Sequence, residues 1–236
     1  MLEAISSTQL AMKMDQLKLQ STNQNIANMN TVGFKKQFAD HLRFESQMQE
    51  TLNNTAEQLQ IAQLNVQGSF AQTDKSTDLA LSGPGYFQVQ GEHGIYYTRR
   101  GDFQINNQGE LATETGEIVL GNGGAIKIND AHFTINTAGA LCIDHQQVNQ
   151  LQILQLDTTQ LKYMGQGLYQ TTETPMPSEA TTQVLQGFLE HSNVKSMDEM
   201  MDLIQTSRHF EANQTVMRTA NNLLATAISQ LGESNV

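Results

Sequence analysis

The chain has 236 residues, and its 13 Lys and Arg against 24 Asp and Glu leave a formal charge of −11. That balance opposes non-specific binding to nucleic acid, which needs cations to displace counterions from phosphates. Only 38% of the residues are hydrophobic, and Gly (17) and Pro (3) are too few for a collagen-like or Gly/Pro low-complexity chain. Such a chain can fill one modest core but not two large ones.

A single cysteine, Cys142, excludes an internal disulfide framework and a cysteine-rich zinc module. No apolar run approaches the ~20 residues that cross a bilayer. The opening stretch MLEAISSTQLAMKMDQLK has no basic head followed by an apolar block. It does not read as a cleavable signal peptide, so any export is expected to use another route.

In chain order, the first predicted element is a helix. Ile5, Met12, Leu19 and Ile26 recur every seven residues, with Leu10 and Leu17 on a flanking stripe. A sustained seven-residue repeat marks a helix that offers a narrow seam to another helix. The seam is contaminated, because Thr8, Asp15 and Thr22 fall where a strong coiled coil places Leu. Asn, Thr and Gly33 around residue 30 end the helix, and Phe34 is expected to be a buried anchor beyond the turn. Residues 35–64 are rich in Gln, Asn and Glu and read as a partly helical or irregular connector.

From about Gly68 to Gly187 short apolar or alternating runs predict strands at 79–81, 86–89, 95–98, 103–105, 118–120, 126–128, 132–135 and 151–156. Turn signals separate them: Gly83-Pro84-Gly85, Asn106 to Gly109, Gly121-Asn122-Gly123-Gly124 and Ala138-Gly139. The two Gly-rich pieces precede strand-like runs rather than helices, so they read as hairpin turns, not phosphate cradles. Thr174 to Ser178 reads as a rigid, extended exit. The last element is a second helix. Ser196 to Glu199 resembles a capping box, Leu203, Phe210, Met217, Leu224 and Leu231 recur every seven residues, and Gly232 is the expected stop. Thr206 and Asn213 interrupt this seam as well. Neither helix should be stable alone in water.

The expected fold is mixed α and β: paired, coiled-coil-like N- and C-terminal helices with an inserted, mainly antiparallel β domain. The expected segments are an N-terminal axial helix at 1–34, a connector at 35–66, a β domain at 67–187, and a C-terminal axial helix at 188–236 that pairs with the first. Helix pairing is assigned to the nine apolar residues at seven-residue spacing.

Three stretches carry a resemblance. The first runs from Ser21 to Lys35 and holds Asn25, Ala27, Asn28, Thr31, Gly33, Phe34 and Lys35 in the form N-x-A-N-x-x-T-x-G-F-K, with Gln24 where a second Asn is common. The second runs from Gln67 to Gly116 and includes Gly83, Gly85, Phe87, Tyr97, Thr98, Arg99, Gly101 and Phe103. The third holds Leu189-Glu190-His191-Ser192-Asn193-Val194 and then Arg208, Phe210, Glu211, Ala212 and Asn213. In that order they resemble the rod and hook proteins of the bacterial flagellum, over well over half the chain. The resemblance implies a structural subunit that polymerises with itself and other rod subunits into a torque-transmitting helical tube around the export channel. It implies a periplasmic rod location, passage through the flagellar type III export apparatus without a cleaved signal, and no catalytic residue, cofactor, metal, nucleic acid or membrane span. Hook proteins of this family are usually much longer, and the short connector resembles the proximal-rod member more than the distal-rod one.

Other chemistries have weaker support. The histidines His41, His93, His132, His145, His191 and His209 lack metal-ligand spacing. Cys142 lies near Asp144 and His145 but reads as a buried thiol. Asp198, Glu199 and Asp202 favour the positive end of the last helix. Lys35-Lys36 and Arg99-Arg100 read as exposed inter-subunit ion-pair partners. Met197, Met200, Met201 and Met217 are either ordinary core or a soft face for non-identical neighbours. The competing classes are a glycan-cleaving enzyme, for which Asp102 and Glu110 would be the carboxylates, and a β-domain binding module.

Overall fold

The computed structural model describes residues 2–39, 61–128, 133–144, 146–157, 161–172, 174–177 and 182–233. They fall into two compact units. One comprises Met1–Ala27, Gln37–Ala62 and Lys195–Val236; the other comprises Asn28–Lys36 and Gln63–Val194.

The first unit is built on two helices, α1 (Leu2–Ala27) and α2 (Ser196–Glu233). α1 contains no Gly or Pro, and the 38 residues of α2 contain only Gly232. At 1.5 Å per residue they extend about 39 and 57 Å. α2 begins at Ser196 as expected but runs through Gly232 to Glu233, so that glycine does not end it. The helices pack against each other and run antiparallel, because Asp15 meets His209 and Asn213 while Asn25 meets Glu199. Strand Gln37–Ala39 packs on α1 and pairs with Ile61–Gln63. The connector is therefore extended at both described ends, and residues 40–60 lie outside the described residues.

The second unit is antiparallel β. Among the described residues its largest sheet has ten strands. One path runs through Lys162–Gly165, Leu168–Gln170, Gly94–Thr98, Tyr86–Gly91, Ile118–Gly121, Leu111–Ala112 and Gln104–Ile105. Gly124–Ala125 pairs with Ile118–Gly121, and Ile153–Gln155 joins Tyr86–Gly91 to the edge strand Met176–Pro177. Pro177 is tolerated there because an edge strand can lack one donor. Smaller sheets pair Phe133–Ile135, Ala140–Ile143 and Gln146–Gln150 in sequence, Leu79–Ser82 with Gln183–Gln186, and Phe70–Gln72 with Phe188–Glu190.

Strand Tyr86–Gly91 shows why the core sits where it does. Tyr86, Phe87, Gln88 and Val89 are all buried, so both faces of this strand are covered. Phe87 and Val89 enter a large aliphatic cluster with Leu79, Leu111, Val119, Ile126 and Leu141. Tyr86 faces the other way, into a smaller cluster with Tyr97, Leu154, Leu161 and Tyr169. The period of two sends alternate side chains to opposite faces. Burial pushes the Tyr86 phenol up to about 12, and its hydroxyl donates to Gln63 at 3.3 Å.

Two hairpin turns use the same device. Asn106 Oδ1 accepts from the backbone N–H groups of Gln108 and Glu110; Asn136 Oδ1 accepts from those of Ala138 and Ala140. Each Asn leads to a positive-φ glycine, Gly109 or Gly139, and then to a buried leucine, Leu111 or Leu141. The Asn side chain mimics a backbone acceptor and stabilises the turn.

Several expectations need correction. Gly83-Pro84-Gly85 is not a hairpin: Leu79–Ser82 pairs with Gln183–Gln186, whereas Tyr86–Gly91 pairs with Gly94–Thr98, Ile118–Gly121 and Ile153–Gln155. It is a corner between two sheets. Gly121 to Gly124 is a hairpin turn. The strand expected at 126–128 lies at Gly124–Ala125 instead; Ile126 and Ile128 still enter the core beside it. The strands at 70–72, 111–112, 146–150, 162–165, 168–170, 183–186 and 188–190 lacked a strong enough apolar run to stand out in the sequence, whereas 140–143, Ala-Leu-Cys-Ile, is an apolar run that was not assigned.

Phe87 is fully buried and meets Phe103 edge-on at 5.2 Å. Phe87→Ala should lower stability by about 3–5 kcal/mol, the usual cost of emptying a buried aromatic site. Urea unfolding followed by tyrosine fluorescence measures it, since the chain has no Trp.

Candidate functional site: a buried ionic node at the ends of the β unit

The site grows from one turn. α1 stops at Ala27, the backbone N–H of Thr31 donates to the Asn28 carbonyl, and Gly33 takes φ +67°. The Gly33 N–H then donates to the Glu190 carbonyl at 2.7 Å. A Cβ on Gly33 would lie 2.2 Å from the Arg99 carbonyl oxygen, so only glycine fits. Phe34 beyond it is buried, as expected, with Tyr163 edge-on at 5.8 Å.

The turn delivers Lys35 to the carboxylate of Glu190. Lys35 Nζ donates to Oε1 at 2.6 Å and to the Val66 carbonyl at 3.0 Å. The same Oε1 accepts from the Gly68 N–H at 2.8 Å. On the other oxygen, Arg99 Nε donates to Oε2 at 2.8 Å. The remaining Arg99 nitrogens donate to the carbonyls of Gly85 (2.5 Å), Leu81 (2.8 Å) and Gly83 (2.7 Å). The guanidinium thus shapes the glycine corner that the sequence suggested was a hairpin. Lys35, Arg99 and Glu190 are 1–3% exposed. Lys35 and Arg99 are therefore internal, not exposed inter-subunit partners, because one carboxylate shared by two cations can be dehydrated at tolerable cost. Arg100 is partly buried and pairs with Asp102 at 2.6 Å and with exposed Glu114 at 3.3 Å.

Burial alone would push the Glu190 carboxyl up, but the charges and hydrogen bonds of Arg99 and Lys35 outweigh it and hold the group below its ordinary value of 4.5. Burial, and Arg99 beside it, lower the Lys35 ammonium below 10.5 against the opposing pull of Glu190.

Two asparagines hold backbone segments, one in each unit. Asn193 accepts from the Lys36 N–H at 2.6 Å and donates to the carbonyls of Leu64 and Val66. In the helical unit, Asn25 accepts from the Gln37 N–H and donates to the Gln37 carbonyl, both at 2.8 Å, and donates to Glu199 Oε2 at 2.9 Å. Glu199 is thus buried against α1 rather than only favouring the start of α2.

The other expected residues distribute as follows. Tyr163 donates to Asn28, Thr98 donates to the Gly167 carbonyl, and Ser192 accepts from the Val194 N–H. Gly101 would place a Cβ 1.5 Å from the Leu79 carbonyl oxygen, while Phe103 and Phe87 share the aliphatic cluster and Tyr97 lies in the smaller one. Ala27, Arg208 and Glu211 are exposed. Ile5, Met12, Leu19, Ile26, Leu203, Phe210, Met217 and Leu224 are all half-buried. The Leu231 side chain is outside the description. The most covered positions on the helices are instead Met14, Asp15, Ser21, Thr22 and Asn25 on α1 and Glu199 and Thr206 on α2. Met197, Met200 and Met201 point outward, which sets aside ordinary core packing for those three.

Glu190 and Gly68 stand in the stretches that carry the resemblance, and Asp15 in the first helix seam, but the sequence assigned none of them a site role. The usable signal for Glu190 was a lone carboxylate closing the apolar pair Phe188-Leu189.

For the weaker chemistries, Cys142 is a half-exposed free thiol rather than a buried one. His93, His191 and His209 are exposed, and His41, His132 and His145 lie outside the described residues. Asp102 is held by Arg100, while Glu110 contacts Asn106 and Lys127. No group of three or more His, Cys, Asp or Glu able to hold a metal occurs among the described residues. No helix among them is long and apolar enough to cross a membrane.

The charged node holds the glycine corner and both ends of the β unit and brings together no catalytic or ligand-binding set among the described residues. Two family models match: "Flagellar basal body rod FlgEFG protein C-terminal" at residues 185–231 and "Flagellar hook protein FlgE/F/G D1 domain" at residues 80–143. The flagellar basal-body rod protein FlgG of Bacillus subtilis is 31% identical over 95% of this chain and 97% of its own length. FlgG of Caulobacter vibrioides is 30% identical over 98% and 99%, and FlgF of the same organism 31% over 89% and 90%. The chain belongs to the flagellar basal-body rod protein family.

Glu190→Ala leaves two buried cations without their carboxylate and should cost about 3–5 kcal/mol. Glu114→Ala, at an exposed pair, should cost no more than about 1 kcal/mol. Because the folded Glu190 value is depressed, its contribution is complete above 4.5 and is lost as pH falls through the folded value. The stability gap between the unaltered chain and Glu190→Gln should therefore narrow on acidification below 4.5. Thermal unfolding across pH 3–7 reads both effects.

Proposed function

We propose that this chain is a structural, non-catalytic subunit of the flagellar basal-body rod, in its proximal part. It assembles in the periplasm with itself and other rod subunits into a helical tube that transmits torque and encloses the export channel. The observation that carries the reading is likeness to rod proteins over nearly the whole chain, covering both terminal helices as well as the β unit. A contact between different surfaces of successive copies that does not close into a ring yields such an open helix.

The helices support an assembly role. Both carry apolar residues every seven positions that are only half covered, and α2 also exposes Met197, Met200, Met201, Ile204, Val216, Leu223 and Ile228. Coiled-coil contacts with neighbouring subunits would cover them, and the flexible methionines suit neighbours of differing sequence. Export through the flagellar type III apparatus completes the reading.

The number of insertions in the relatives favours the proximal, FlgF-like member. The 221 aligned positions shared with Caulobacter FlgF cover 89% of the 236 residues, so about 11 of those positions are filled only in the relative. The 267 positions of the alignment with Caulobacter FlgG cover 98%, which leaves about 36 filled only in that relative. The distal-rod reading is supported by identities of 30–31% to FlgG proteins.

Cells whose own gene is replaced by a form lacking residues 2–27 and 196–233 should export hook subunits without building a rod and should not swim. Motile cells would overturn the reading. Co-sedimentation of the purified chain with FlgF-type rather than FlgG-type subunits tests the proximal position.

A further inference from the structure

The apolar residues of α1 and α2 recur every seven positions, and this repetition creates an ambiguity. If α2 slides by seven residues along α1, Leu203, Phe210, Met217 and Leu224 simply replace one another. Hydrophobic burial is almost unchanged by that slide, so it cannot choose the register. Something non-repeating must.

Asp15 is a non-repeating element in the middle of the seam. It is 8% exposed, in the middle of α1. Asn213 Nδ2 donates to its Oδ2 at 2.9 Å, and His209 Nδ1 lies 2.8 Å from Oδ2 and 2.9 Å from Oδ1. Asn213 Nδ2 is also 3.2 Å from His209 Nδ1, so the three groups form one cluster across the helix pair.

Sliding α2 by seven residues replaces that cluster. In one direction Val216 and Ala220 take the places of His209 and Asn213, leaving a covered carboxylate against apolar groups. In the other direction Asp202 and Thr206 arrive, which puts a second carboxylate against the first. An uncompensated covered charge is costly, and like charges are worse. At the other end, Asn25 holds Glu199 Oε2 at 2.9 Å, and the first slide would offer it Thr206 instead.

We propose that Asp15, with His209 and Asn213 as its donors, is the register lock of the α1–α2 pair. These are positioning residues: they select one of several hydrophobically equivalent alignments, and they do so at some expense in stability. The proposal does not rest on the rod assignment, because it concerns the pairing within one chain.

Spin–spin distance measurement on the full chain tests it. Labels go on Gln20→Cys and Arg218→Cys, both exposed positions, in a Cys142→Ser background. Labelled chain is diluted with unlabelled chain so that only the intramolecular distance is read. A seven-residue slide moves the labels by about 10 Å along the axis. The otherwise unaltered chain should give one distance. Asp15→Leu should add a second population displaced by about 10 Å while keeping the helical circular dichroism. Asp15→Asn, whose amide oxygen still accepts from Asn213, should restore the single distance. His209→Val combined with Asn213→Ala asks the same question from α2 and should also yield two populations. A single unshifted distance in both Asp15→Leu and the α2 variant would overturn the proposal. So would loss of the helix pair in both, since a lock can be removed without removing what it aligns.

Discussion

One carboxylate organises the β unit. Glu190 accepts two cations and a backbone N–H in a place that water does not reach. Its partners come from far apart in sequence: Lys35 just after the first helix, Gly68 at the entry to the strands, and Arg99 at the end of a central strand. The carbonyls that Arg99 then holds fix the corner between two sheets. Each ion alone would be a dehydrated charge; together the two cations and the carboxylate compensate one another. The segment entering the β unit and the segment leaving it are thereby fixed at one point.

The helical unit follows a different logic. Its deepest positions are mostly polar, with Asp15, Thr22, Asn25, Glu199 and Thr206 beside Met14, whereas most apolar side chains flank them or face outward. Such a pair gives up part of its hydrophobic stabilisation for definition. Polar contacts of fixed geometry permit few alignments, and the apolar surface left uncovered remains available for other helices. This distribution is the reverse of what an independently stable bundle would show.

Local signals in the sequence foretold much of this. Seven-residue periodicity located both helices, and Ser196 marked the start of the second. Asn-Gly turn chemistry placed the hairpins at 106–109, 121–124 and 138–139, and Gly33 followed by Phe34 gave the turn and its buried anchor. Strands such as Gln146–Gln150 stayed hidden because their polar side chains carry no apolar alternation; partner strands, rather than their own composition, hold them. Gly83-Pro84-Gly85 looked like a hairpin because a glycine turn specifies a bend and not the strand to which the chain returns.

The sequence by itself determined the two helices, the Asn-Gly hairpin turns and the family resemblance, because these rest on patterns among residues a few positions apart. Only the tertiary structure decided which charges are internal. Lys35 and Arg99 read as surface cations until Glu190, 155 and 91 residues away, is brought beside them. Asp15 likewise read as a flaw in a seam until His209 and Asn213 met it from the far end of the chain. The burial of a charge depends on what surrounds it in space, and that surrounding is assembled from segments whose proximity no local pattern encodes.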